Sequence, residues 1–268
     1  MSKELDNYID WMRVNGLSEA SIDTYDSRMV CYEKFHGSLD ISEDKIMSFL
    51  SNKQKEGCSA NTINSYNRAL TSFCRYKGIE VKFPKHQKVP KTLPKYITEE
   101  EFTNEIIPAV DYLFLNAIRV KAILYFMFYT GVRRGELCSI KRASIDLINR
   151  KAKVYSTKNH TEKEVFFPDR VTKILDAYFS IESEETNAFN VSRAGINYIF
   201  KTIKPNFKRL TLHPHLFRHS YAVHLIMNGV DISVVSKLLG HSDIKTTMIY
   251  AQLNNKHIEE VYRKAVGK

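Results

Sequence analysis

Between residues 82 and 96 the chain reads KFPKHQKVPKTLPKY, and Pro84, Pro90 and Pro94 exclude a continuous helix through it. Helical periodicity fills the residues before this break, and a mixed helical and strand-like pattern follows it. The 268 residues suffice for two ordinary domains. The expected organisation is therefore a helical unit over 1–81, an extended linker over 82–96 and a larger unit over 97–268. The linker carries five lysines and no acid. Such a stiff, basic strand suits a phosphate backbone, and Lys85, Lys88, Lys91 and Lys95 are the candidate contacts. An ordinary solvated linker has the same composition.

The first 81 residues contain a weak echo at an offset of 41. Ser18, Ile22, Tyr25, Met29, Tyr32 and Gly37 return as Ser59, Ile63, Tyr66, Leu70, Phe73 and Gly78. Each set is the stripe of an amphipathic helix with a serine at its start and a glycine at its stop. Ser42 is placed to cap another helix that buries Ile46, Phe49 and Leu50, and residues 4–15 supply a first one. A small four-helix bundle results.

The net charge is +10 and the pI about 9.3, which favours a polyanionic partner. Residues 1–81 hold ten basic against twelve acidic side chains, so the excess lies in the linker and beyond. DNA contact by the first unit would need its basic residues gathered on one face. The longest strongly apolar run, Ala122 to Tyr129, is too short to span a bilayer. Glu4, Asp6 and Asp10 replace any apolar export signal, so a cytoplasmic protein without membrane contact is expected. Cys31, Cys58, Cys74 and Cys138 are scattered, as reduced thiols would be.

After the linker, Thr98 and Glu101 have the form of a capping box. Helical patterns run over Val120–Tyr129 and Gly135–Ile140. The period then shortens: Ala152–Ser156 and Glu164–Phe167 alternate as strands on either side of the polar Thr157–Lys163. Helical patterns resume at Val171–Phe179, Ala194–Lys204, Leu216–Met227, Ser233–Leu239 and Ile244–Ala251. The fold class is mainly α with a small β-hairpin.

Chemistry concentrates near the end. His215 and Arg218 stand three apart, on one face of a helix; His241 follows Leu238-Leu239-Gly240, and Tyr250 comes nine residues later. An arginine and two imidazoles around a phosphate, with a phenol in reach, make a site for a phosphotyrosine bond. Phosphoryl transfer needs rigid cationic donors, an in-line nucleophile and an acid for the leaving oxygen. A lysine at the hairpin tip is placed to swing in as that acid. His215 and His219, four apart, also have a zinc-chelating spacing. No glutamate follows His215 and no cysteine is near, so neither metal nor other cofactor is expected.

His215-Leu216-Phe217-Arg218-His219, Leu238-Leu239-Gly240-His241 and Tyr250 resemble the C-terminal catalytic box of the tyrosine recombinase (phage integrase) family. Thr130-Gly131-Val132-Arg133-Arg134-Gly135-Glu136-Leu137 is similar to its first-arginine motif, and Lys158 in the hairpin tip matches its mobile lysine. The likeness extends over nearly the whole chain, to the simple two-domain, Xer-like members that have a helical core-binding domain. It implies that Arg133 and Arg218 clamp the scissile phosphate, that Tyr250 attacks it to leave a 3′-phosphotyrosine and a free 5′-hydroxyl, and that Lys158 protonates the departing oxygen. His215 would assist proton transfer at the tyrosine and His241 would bond a phosphate oxygen. Strand exchange through a Holliday junction within a tetramer on paired DNA sites, with or without an accessory protein, would follow. The family's hairpin often carries glycines that Thr157–Lys163 lacks, and Lys163 competes with Lys158 for the role of acid. Ile258, Val261, Tyr262 and Ala265 form a stripe that the resemblance makes a tail helix for the next protomer. Two other classes fit part of the pattern: a type IB topoisomerase-like enzyme, and a non-catalytic architectural DNA-binding protein.

Overall fold

The computed structural model describes residues 3–89, 95–156, 161–181, 186–240 and 266. The chain forms two compact units, Met1–Lys91 and Thr92–Lys268. No helix among the described residues is long and apolar enough to cross a membrane.

The first unit contains α1 (Lys3–Val14), α2 (Glu19–His36), α3 (Glu43–Lys55) and α4 (Ala60–Lys77). Ser18, Ser42 and Ser59 stand extended ahead of α2, α3 and α4, and each hydroxyl accepts the backbone N–H three residues on. The echoed residues become one core. Ile22, Met29 and Tyr32 from α2 join Ile63, Leu70 and Phe73 from α4, with Tyr8 from α1 and Phe49 from α3. Tyr8 meets Phe73 edge-on with centroids 5.0 Å apart, and Phe49 meets Tyr66 likewise at 5.1 Å.

Residues 82–89 do not leave this unit freely. Asn64 donates to the Gln87 carbonyl at 2.9 Å and accepts the Gln87 N–H at 2.8 Å, while Asn67 donates to the Pro84 carbonyl at 2.9 Å. Both asparagines are buried, so these bonds satisfy amides that would otherwise be costly. Lys85 and Lys88 stay exposed on the segment so held; Lys95, in the second unit, is exposed as well, and Lys91 lies outside the described residues. The Asn64→Ala variant should lose about 1–2 kcal/mol, and limited trypsin digestion of the native protein should cut after Lys85 and Lys88 several times faster. Unchanged cleavage rates would contradict the tether.

The second unit is built on α7 (Ala117–Thr130), eight of whose residues are buried. The capping box at Thr98 forms, opening α5 (Glu99–Glu101). The chain then widens into a π-turn over Phe102–Ile106 before α6 (Ile107–Leu113). Pro108 supplies the reason: it lacks an N–H and its ring would crowd the carbonyl four residues back. α8 (Arg134–Ser139) leads to a three-stranded antiparallel sheet of β1 (Ile145–Asp146), β2 (Lys151–Ser156) and β3 (Thr161–Phe166), in that order. α9 (Asp169–Phe179), α10 (Arg193–Ile203), α11 (Pro214–Met227) and α12 (Ile232–Leu239) complete the described α-helices.

The fold is mainly α with a small sheet, as the periodicity implies, and three details differ. β1 is too short to leave a periodic trace. The π-turn has none either. The ladder continues to the pair Ser156↔Thr161, so Lys163 sits inside β3 opposite Val154 instead of in the hairpin tip. The expected helix over Ile244–Ala251 and the tail stripe from Ile258 to Ala265 lie outside the described residues.

Two contacts fix α11, the helix that carries His215 and Arg218. Phe102 stacks on Phe128 of α7 at 4.1 Å, and Phe217 packs edge-on against both at 5.9 and 5.7 Å. The fully buried Ser220 accepts the Ile97 N–H at 2.8 Å and donates to the Leu216 carbonyl at 2.8 Å.

Candidate active site

The Thr130–Leu137 stretch makes a stop, a turn and a start. α7 ends on Gly131, whose φ of +62° favours glycine. A β-carbon there would also collide with the Tyr221 ring. Arg133 then stands extended at the N-cap of α8, and Glu136, three residues on, accepts the Arg133 backbone N–H at 2.8 Å. The other carboxylate oxygen of Glu136 pairs with the Arg133 guanidinium at 2.7 Å. One carboxylate thus orients both the backbone and the side chain of the arginine.

Three further groups join them. Arg133 Nη2 donates to the Gly240 carbonyl at 3.3 Å. Arg218, itself buried, donates to the Gly131 carbonyl at 2.7 Å and to the Leu239 carbonyl at 2.6 Å. Lys163 donates to the same Leu239 carbonyl at 3.1 Å and lies 3.3 Å from Glu136. The end of α12, just before His241, is therefore the common acceptor for all three cations. Carbonyls at a helix C-terminus carry partial negative charge, which suits that role.

Charge balance follows from the distances. Glu136 is 2% exposed and faces Arg133 and Lys163. Burial raises its carboxyl, but Lys163 and Arg133 outweigh that and hold it below the ordinary carboxylate range. Burial pulls the Lys163 ammonium down to about 8, opposed by Glu136 and reinforced by Arg218 and Arg133. Three cations and one anion leave two positive charges in excess. That excess matches the dianion a phosphodiester becomes when a fifth oxygen adds to phosphorus.

The histidines divide by role. His213 caps α11, its Nδ1 accepting the Leu216 N–H at 3.1 Å. His215, in the first turn, is held below its ordinary value by desolvation and by the charges of Arg218, His213, Arg134 and Arg133. It is thus neutral at pH 7 and able to accept a proton. Arg134 bonds Asn197 at 2.6 Å, whereas Arg133 is the arginine of this motif that meets Glu136 and the Gly240 carbonyl. Among the described residues, no three histidine, cysteine or acidic side chains converge as metal ligands. Lys158, His241 and Tyr250 lie outside the described residues. The structure brings together Arg133, Arg218 and His215, and adds Glu136 and Lys163. Glu136 was legible as the last charged position of the arginine motif, and Lys163 as a competitor of Lys158; the place of Lys163 beside Glu136 was not, because it depends on strand register.

A second basic feature lies wholly within the first unit. Arg68 and Arg75 of α4, with His86 from the tethered segment, line an open cleft of about 490 Å³ together with Trp11 and Tyr25. Two of the ten basic side chains of residues 1–81 thus share one cleft. Neither arginine forms an ion pair with a described carboxylate.

Residues 95–257 match the model of the phage integrase family. A tyrosine recombinase of Thermosipho africanus is 28% identical over 98% of this chain and 100% of its own length. The tyrosine recombinase XerA of Thermococcus kodakarensis is 28% identical over 98% and 94%. Among solved structures, the XerH site-specific recombinase bound to its difH substrate in a pre-cleavage complex superposes with a TM-score of 0.69, at 20% identity over 94% of this chain and 82% of that one. The chain belongs to the phage integrase family, the tyrosine recombinases.

The Glu136→Gln variant should leave Arg133 and Lys163 facing each other without a counter-charge. A loss of about 3 kcal/mol is expected at neutral pH by calorimetry. The wild-type carboxyl titrates below its unfolded value, so its contribution is present above that value and disappears as the pH falls through the folded one. The difference between the two proteins should therefore shrink below pH of about 4. A constant difference down to acid pH would refute the assignment.

Proposed function

We propose that the protein is a site-specific DNA recombinase that breaks and rejoins strands through a 3′-phosphotyrosine intermediate. The observation that carries the reading is the convergence of Arg133, Arg218 and Lys163 on the end of α12. A rigid, doubly positive surface that precedes His241 and Tyr250 in sequence suits a phosphodiester undergoing in-line attack. Arg133 and Arg218 hold the nonbridging oxygens, since a planar guanidinium bonds two of them at once. Tyr250 is the nucleophile. Neutral His215 takes the phenol proton, and His241 bonds a phosphate oxygen. The 5′-oxygen leaves with a proton from a lysine of the β2–β3 hairpin, where the resemblance selects Lys158. Bond energy is kept in the phosphotyrosine, so the chemistry calls on neither metal nor nucleotide.

Double-stranded DNA is the partner on this reading. Lys85, Lys88, Lys91 and Lys95 would track the backbone, and the Arg68–Arg75 cleft would extend the DNA surface onto the first unit. Exchange between two duplexes needs four active sites around a Holliday junction, hence a tetramer on DNA, whether the event is mobile-element integration or chromosome-dimer resolution. The named relatives are recombinases, and XerH is captured on its difH site; both favour strand exchange over relaxation of supercoils.

A nicked duplex, recovered from a random-sequence pool by its retention on the protein, would test the reading on a denaturing gel in EDTA. Wild type should trap a covalent adduct and Tyr250→Phe should trap none. An adduct with both would mean another nucleophile; tight binding without adduct by wild type would point to an architectural role. In the same binding assay, replacing Arg68 and Arg75 together with alanine should weaken binding to every sequence. For every phosphate that these arginines neutralise in the wild type, the dependence of log affinity on log salt should flatten by about 0.9. An unchanged slope would remove the cleft from the DNA surface.

A further inference from the structure

We propose that His213 is a positioning residue for the reaction: as the neutral cap of α11 it sets the first turn, where His215 stands, and a proton on its ring undoes that hold. The proposal rests on the phosphotyrosine reading above and concerns the placement of its general base.

The cap fixes the chemical form of the ring. A backbone N–H only donates, so the nitrogen that takes the Leu216 N–H at 3.1 Å must offer a lone pair. The proton of neutral His213 is therefore on Nε2, and Nδ1 is bare. His213 is extended ahead of the helix, and Pro214 in the first turn has no N–H to satisfy. Leu216 shares its N–H between Nδ1 and the His213 carbonyl, the latter at 2.9 Å, so one residue supplies both acceptors. A second proton has only Nδ1 to occupy. It sets N–H against N–H there and places a cation at the positive end of a helix dipole.

His215 is what depends on the cap. Arg218, a turn further on, is buried and bonds the Gly131 and Leu239 carbonyls, so two bonds outside its own helix fix it. His215 is exposed and lies two residues beyond the cap, so its ring goes where the first turn goes. The charges around the pair are of one sign. His215 and His219 on the same helix both feel His213, and Arg133 and Arg134 at the start of α8 bear on His215 as Arg218 does. Desolvation holds His213 below the ordinary imidazole value, although the residue as a whole is exposed, and no described carboxylate opposes that shift. The cap is thus in place at neutral pH. Because the folded ring takes its second proton less readily than the unfolded one, the stability it contributes is complete above the unfolded value and declines as the pH falls below it.

Two variants separate a cap from a ring needed for itself. Asparagine is among the best caps and does not titrate, whereas alanine does not cap. Adduct formation on the selected nicked duplex would be timed at saturating full-length protein. At a pH of about 8, His213→Ala should be roughly tenfold slower than wild type, and His213→Asn should restore most of the loss. His215 titrates in all three proteins, so the ratio of wild type to His213→Asn cancels its effect. That ratio should fall between a pH of about 8 and one of about 5.5, and wild type should lose melting temperature relative to His213→Asn over the same range. An asparagine variant as slow as the alanine variant, an alanine variant as fast as wild type, or a rate ratio or melting difference indifferent to pH would overturn the proposal. Absence of a wild-type adduct would instead overturn the reading beneath it, and the proposal with it.

Discussion

A buried carboxylate organises this site. Glu136, from the third position of α8, takes the Arg133 backbone N–H, the Arg133 guanidinium and the Lys163 ammonium. Without it, three cations would share a pocket whose remaining acceptors are carbonyl dipoles, and Coulomb repulsion in a partly desolvated space would push them apart. With it, Arg133 is fixed at a helix start and Lys163 is drawn inward from a strand. The loop after α7, the hairpin and the end of α12 are thereby joined at one point, although they come from distant parts of the chain.

The surrounding fold supplies rigidity where that arrangement needs it. α11 is held on one side by the stacked Phe102 and Phe128 beneath Phe217, and on another by Ser220, which anchors Ile97. Arg218 projects from this fixed helix and bonds two carbonyls that are themselves turns of the backbone, Gly131 and Leu239. Preorganised donors cost little reorganisation when charge develops, which is why phosphoryl transfer favours such a frame. The first unit follows a different economy. Three of its four helices begin with serine caps, and buried Asn64 and Asn67 hold residues 82–89 against α4. Basic side chains of the segment and of α4 are thus presented on one body.

Much of this was legible before any coordinates. The 41-residue echo marks two helices whose serine caps and glycine stops are all realised, because capping and a 3.6-residue apolar stripe are local properties. The capping box at Thr98 and the start of α8 at Arg133 are local in the same way. Tertiary pairing escaped. The ladder carries the strand as far as Thr161, so the polar composition of Thr157–Lys163 gives a misleading picture of the tip. The π-turn at Phe102–Ile106 follows from a proline whose consequence appears only once the flanking segments are helical.

Residue identity and spacing alone determined the class of chemistry. An arginine motif, a His-x-x-Arg pair, Lys-rich basic segments and a late tyrosine occupy fixed intervals, and intervals are preserved whatever the fold does with them. Which lysine stands beside the arginines is another matter. Side chains on a strand alternate faces with a period of two, so a single step of register decides whether Lys163 meets Glu136 or water. Register is set by cross-strand pairing and burial between segments, energies that no local stretch of sequence contains. The sequence determined the helices, their caps and the kind of reaction; the tertiary structure decided which charges share one carboxylate.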